Sequence, residues 1–146
     1  MQDGRTLRLT AYGQHSTTAT PTLTFAVRWG GVSGTIIAQS GAMTCGSGVT
    51  SAMWKVECLI TVRTNGSSGT VFGIMEVILG EDAASTVGSA TNASAVGFGG
   101  DAGVAAPTTA SVDLTADTAL SLTADWSAAS ASNTLTGHLY LIETVN

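Results

Sequence analysis

Apolar and polar residues alternate one by one through segment after segment of this chain. Leu7, Leu9 and Ala11 alternate with Arg8, Thr10 and Tyr12. Leu23, Phe25, Val27 and Trp29 alternate with Thr24, Ala26 and Arg28, and Trp54, Val56, Cys58, Ile60 and Val62 with Lys55, Glu57, Thr61 and Arg63. Successive strand side chains point to opposite faces, so a period of two buries one face and wets the other. The pattern predicts a strand over Thr6–Tyr12 closed by Gly13, then a polar connection His15–Thr20 leading to Pro21. A second strand covers Thr22–Trp29 and stops at Gly30-Gly31; a third covers Thr35–Gln39. After the Gly- and Ser-rich loop Ser40–Ser51, a long strand runs over Ala52–Thr64. Asn65-Gly66-Ser67-Ser68-Gly69 then reads as a hairpin connection to a strand over Thr70–Leu79.

The second half is less regular. Gly80–Ala106 is rich in glycine and predicts one irregular strand near Ala93–Phe98 with mobile flanks. Order resumes at Pro107. Ser111–Leu114 and Ala119–Trp126 alternate, the latter with Leu120, Leu122, Ala124 and Trp126 facing in, and Ser127–Asn133 is a polar loop. The last strand, Thr134–Thr144, is expected to place Leu135, Leu139 and Leu141 on one face and His138, Tyr140 and Ile142 on the other. That second face is not purely polar, which makes His138, Tyr140 and Ile142 the candidate oligomer interface. The longest glycine-free window, Val104–Thr136, is dominated by Ser, Thr and alternating Leu, which disfavour helix interiors. About eight strands in one domain over 1–146 predict an all-β, antiparallel β-sandwich, jelly-roll-like. Its expected core is Leu9, Leu23, Phe25, Val27, Trp54, Val56, Ile60, Leu122 and Leu139. The first strand begins within five residues of Met1, an abrupt start for an eight-stranded jelly roll, so a neighbouring chain is one way to cover an exposed edge.

Composition narrows the function classes. The 146 residues are 44% hydrophobic and only 10% charged, against the usual quarter. Ser, Thr and Gly fill the gap and give a surface that is cheap to desolvate, as extended contacts with copies of itself or with other proteins require. The net charge is −5, with four Arg and the single Lys55. Without clustered Lys or Arg, direct nucleic-acid binding is not expected. Nor is a membrane role, because no long apolar run or basic amphipathic helix is present. Met1–Arg5 lacks the apolar core of a signal peptide, so assembly in a cytoplasm is expected. Cys58 reads as a small buried hydrophobe in line with Val56 and Ile60 rather than as a disulfide partner of Cys45. The two cysteines and the two histidines, His15 and His138, are too few and too scattered for a metal site.

Catalytic signatures are missing. There is no Gly-x-Ser-x-Gly elbow, and His15 and His138 read as surface or interface residues. Glu57 and Glu76 flank the hairpin and could approach each other as glycosidase carboxylates do, but Lys55 and Arg63 nearby make cross-strand ion pairs the simpler reading. Glu81-Asp82 with Asp101 matches no calcium loop. No glycine cluster is followed by the Lys-Ser/Thr and helix of a phosphate cradle. Asn65-Gly66-Ser67 and Asn92-Ala93-Ser94 match the glycosylation acceptor pattern and are most simply turn chemistry or chance. No catalytic residue, cofactor or metal is assigned.

Several segments carry a resemblance. Leu7–Gly13 (LRLTAYG), Ser16–Phe25 (STTATPTLTF) and Arg28–Gly31 (RWGG) resemble a β-sandwich module of tailed-bacteriophage virion proteins. Gly48–Glu57 (GVTSAMWKVE), Ile60–Thr64 (ITVRT), Gly66–Val71 (GSSGTV) and Leu120–Thr136 (LSLTADWSAASASNTLT) look like the same module. Together they span most of the chain outside Gly80–Ala106. Similar modules often carry an extra strand and arm before the LRLT run, where this chain has only Met1–Arg5. The resemblance implies a structural, jelly-roll-like subunit, trimeric, on a capsid or tail, and brings no catalytic residues with it. The expected function is a capsid decoration (cement) protein contacting the major capsid protein or other virion proteins. The alternative is a minor tail or tail-fibre module that binds a host surface glycan or receptor. Trp29, Trp54 and Trp126 all fall on apolar faces, which leans against a sugar-gripping role for them.

Overall fold

The computed structural model describes residues 1–80, the backbone of the strand at 93–98, and residues 109–146. It is all-β, as the alternation predicts. Among the described residues ten strand segments follow in order: β1 Thr6–Ser16, β2 Thr22–Trp29, β3 Thr35–Gln39, β4 Met43–Thr44, β5 Ala52–Thr64, β6 Gly69–Leu79, β7 Ala93–Phe98, β8 Ala110–Val112, β9 Leu120–Trp126 and β10 Thr134–Thr144. They form two antiparallel sheets. The larger has the order β10-β1-β5-β6-β7, with β8 also on β6; in the smaller, β2 pairs with β3 and β4 and with β9. The first two strands pair with the last two, β1 with β10 and β2 with β9, which gives the sandwich its jelly-roll-like character. The mobile flanks expected around β7 concern residues 81–92 and 99–108, which lie outside the described residues.

The core sits where the inward faces meet. Leu9, Leu23, Phe25, Val27, Val56 and Ile60 are fully or almost fully buried, and Trp54 nearly so. The rings of Phe25 and Trp54 join the two sheets at 5.3 Å between centroids, tilted by 38°, within the favourable range for an offset aromatic pair. The β5–β6 hairpin is built as its Asn-Gly turn predicts. Gly66 takes φ +118°, a region that penalises any side chain, and its carbonyl accepts hydrogen bonds from the Gly69 and Leu114 amides.

Three expectations change. Gly13 does not end β1. A Cβ there would collide with the Thr136 carbonyl oxygen and come within 2.9 Å of the Trp54 ring, so this glycine admits β10 and Trp54 to close approach while the strand runs on to Ser16. His15 is therefore not in a polar connection: it lies opposite Ala52 and Leu135, 1% exposed. The third change is on β10. The partners of Tyr12 and Gly13 are Leu139 and Gly137, so His138 is an extra residue, and such a bulge inverts the face count beyond it. Leu139 is thus 37% exposed rather than core. Separately, Leu122 on β9 is only half-buried, packed against the margin of the core.

Candidate interaction surface

Directly opposed residues of an antiparallel ladder project to the same side, which fixes the faces of β10. Tyr140 and Ile142 oppose the buried Ala11 and Leu9, and Leu135 opposes His15. These three face the smaller sheet. Leu139 and Leu141 oppose Tyr12 and Thr10 on the outward side, and His138 contacts Gln14 there, Nε2 to Oε1 at 3.4 Å. The candidate trio thus splits: Tyr140 and Ile142 face inward, His138 outward, and the outward apolar residues are Leu139 and Leu141.

Inward-facing is not the same as covered. β9 brings Leu120, Leu122 and Trp126 to only a half-buried state, and Tyr140 and Ile142 remain 48% and 41% exposed. Between the sheets at this end lies a cleft of about 240 Å³, lined by Ala11, Phe25, Trp54, Leu122, Leu135 and Tyr140 among others. The Tyr140 hydroxyl crosses it and donates to the Leu120 carbonyl at 2.7 Å. Desolvation of that hydroxyl is the main reason the Tyr140 pKa rises above its ordinary value. The cleft is an open seam in the sandwich rather than a site with converging polar groups.

The outward face of the larger sheet mixes ions and apolar side chains. Arg8 Nη1 meets Glu143 at 3.1 Å and Arg8 Nε lies 4.0 Å from Glu57, while Lys55 Nζ meets Glu57 at 3.3 Å. All four side chains are more than a third exposed, so these pairs contribute little to stability. Around them stand Tyr12, Met53, Leu59, Ile74, Leu139 and Leu141, each at least a third exposed.

The candidate chemical groups take the following places in the fold. Glu57 and Glu76 are directly opposed across β5 and β6 on this exposed face, with Glu57 engaged by Arg8 and Lys55. His15 is buried, and neither ring nitrogen makes a well-formed hydrogen bond. Burial lowers its pKa from 6.5, outweighing a backbone contact with Ala52 that acts the other way. Cys45 and Cys58 are buried and form no disulfide; burial pushes the Cys58 thiol up to about 12. Trp54 is core and donates to the Gln14 carbonyl, while Trp29 and Trp126 pack on the rim of the core. Among the described residues no three of His, Cys, Asp and Glu come together as a metal site, and no helix is long and apolar enough to cross a membrane. Glu81, Asp82 and Asp101 lie outside the described residues. No family model, curated protein or solved structure matches the chain.

Proposed function

We propose that this chain is a non-enzymatic structural protein of a tailed-phage virion, most simply a capsid decoration (cement) subunit that stabilises the head shell. The observation that carries the reading is the exposed apolar surface: Leu139 and Leu141 stand with Tyr12, Leu59 and Ile74 on the outer face of the larger sheet, and Tyr140 and Ile142 are left exposed on the inner face of β10. Soluble monomers rarely leave large apolar patches without a partner. A surface with 10% charged residues desolvates at low cost, and many copies of a modest contact sum to firm attachment. The module resemblance supplies the particle. In this reading the subunit self-associates, as the trimer that the resemblance implies, and contacts the major capsid protein or other virion proteins.

The test is to omit the protein from particles and heat them. A cement subunit predicts intact heads that lose heat and pressure resistance while host adsorption stays normal. Normal heads with lost adsorption would transfer the case to the tail-fibre alternative. Copy number gives the same answer independently, hundreds per particle for decoration and a handful for a tail position.

A further inference from the structure

We propose that the free edge of β10 pairs antiparallel with β10 of a second copy, so that two larger sheets join into one across a two-fold axis. Among the described residues β10 is a terminal strand, hydrogen-bonded to β1 alone. Its outer edge presents a row of backbone donors and acceptors. Folded proteins ordinarily blunt such an edge with a short strand, lysine, proline or a bulge. β3 is short, at five residues. β10 has eleven, contains neither lysine nor proline, and confines its bulge to His138. From Leu139 to Thr144 it stays in unbroken register with Tyr12 to Leu7, which leaves a regular, unguarded edge.

The side chains specify what can occupy it. Leu139, Tyr140, Leu141 and Ile142 are 37–48% exposed, and Tyr12 and Val145 beside them 46% and 48%. Tyr12, Leu139 and Leu141 stand on the outward face and Tyr140 and Ile142 on the inward one, so apolar side chains flank the edge on both sides. Because β10 is apolar on both faces, a ladder of β10 with itself is apolar on both faces too. A polar partner strand would leave one side mismatched.

Symmetry fixes the register. A two-fold axis that extends a sheet stands perpendicular to it and keeps each face on its own side, so outward residues must oppose outward ones. Within the regular stretch, centring on Leu141 satisfies this and matches the most apolar positions. Leu141 opposes its own copy, Tyr140 opposes Ile142, and Leu139 opposes Glu143. The two seams beneath β10 then become continuous, and Tyr140 and Ile142 of both copies cover them. The contact is separate from any three-fold contact made elsewhere, and it does not depend on where the protein acts.

Sedimentation of the purified chain reads the assembly directly. The expected result is an even-numbered species that Leu141→Lys reduces to half its mass, with an unchanged circular dichroism spectrum. A second variant guards against a folding defect. Leu141→Cys should join two chains through a short bis-maleimide, whereas Val32→Cys, 74% exposed in another part of the surface, should not. A monomer, a trimer indifferent to Leu141→Lys, or equal cross-linking at both positions overturns the edge pairing. Any of those results would leave the particle-heating test of the virion reading untouched.

Discussion

His15 is the residue whose environment fits its chemistry least well. It is buried, neither ring nitrogen makes a well-formed hydrogen bond, and burial, outweighing an Ala52 backbone contact that acts the other way, holds its pKa below 6.5. The unfolded chain therefore takes up the proton first as the pH falls. Stability is fully present above about pH 6.5 and declines as the pH drops from there through the lower folded-state value. Urea midpoints should fall between pH 7 and pH 5, and His15→Leu should flatten that slope; an equal slope in both proteins would exclude His15 as its source. Packing around the aromatic pair makes a second prediction. Phe25→Ala or Trp54→Ala should cost roughly 3–5 kcal/mol in denaturant unfolding, because each leaves a cavity between two sheets that cannot close over it. The alternation made Phe25 and Trp54 legible as core. It could not show that His15 stays in the strand, since Gly13 looks like a terminator until β10 and Trp54 are seen to need its missing side chain.

At the scale of elements, hydrophobic alternation located the strands long enough to show a period, and missed the two-residue β4, Met43–Thr44, inside the segment Ser40–Ser51 that reads as a loop. β2, β3, β5 and β10 have the expected bounds. Faces were legible only where the ladder is regular. On β10 one inserted residue, His138, moved Leu139 from core to surface and separated His138 from Tyr140 and Ile142. A bulge leaves no mark on apolar periodicity when both faces of a strand are apolar. The seam offers its own prediction. Tyr140→Phe removes the hydroxyl bridge to Leu120 but keeps the ring, so it should lower stability by about 1 kcal/mol or less, since the abandoned carbonyl can turn to water. In contrast, Gly13→Val should be severely destabilising in the same assay, because it forces β10 away from β1. Cys58, central in β5 and with its thiol pushed up to about 12, should resist alkylation in the folded protein and react only on unfolding.

For the molecule as a whole, the sequence spoke more clearly of architecture than of function. Few charges, no basic cluster and no nucleophile elbow set expectations against several function classes. Surface was the part that could not be read. Whether an apolar residue on a strand is core or contact depends on how far the opposite sheet reaches, and here the smaller sheet leaves β10 partly uncovered. The proposed structural role rests on exposed apolar surface together with the module resemblance, and the particle-heating and cross-linking experiments examine these separately.

The first and last described strands are held side by side. Val145 donates to the Thr6 carbonyl, the Asn146 side-chain amide accepts from Thr6 and donates to Gly4, and that last bond joins residues 142 positions apart. A sheet closed this way cannot zip outward from one local turn. β1 gains its second neighbour only when β10 has been made, and the entropy of closing so long a loop has to be met before that pairing gives anything back. Refolding should accordingly be slow for the chain's size, on the order of milliseconds to seconds, with the β5–β6 hairpin protected from hydrogen exchange earlier than β1 and β10. Until synthesis has passed Thr144, the nascent protein carries a half-paired β1, so the emergence of β10 from the ribosome is the event that ends its exposure to misassembly.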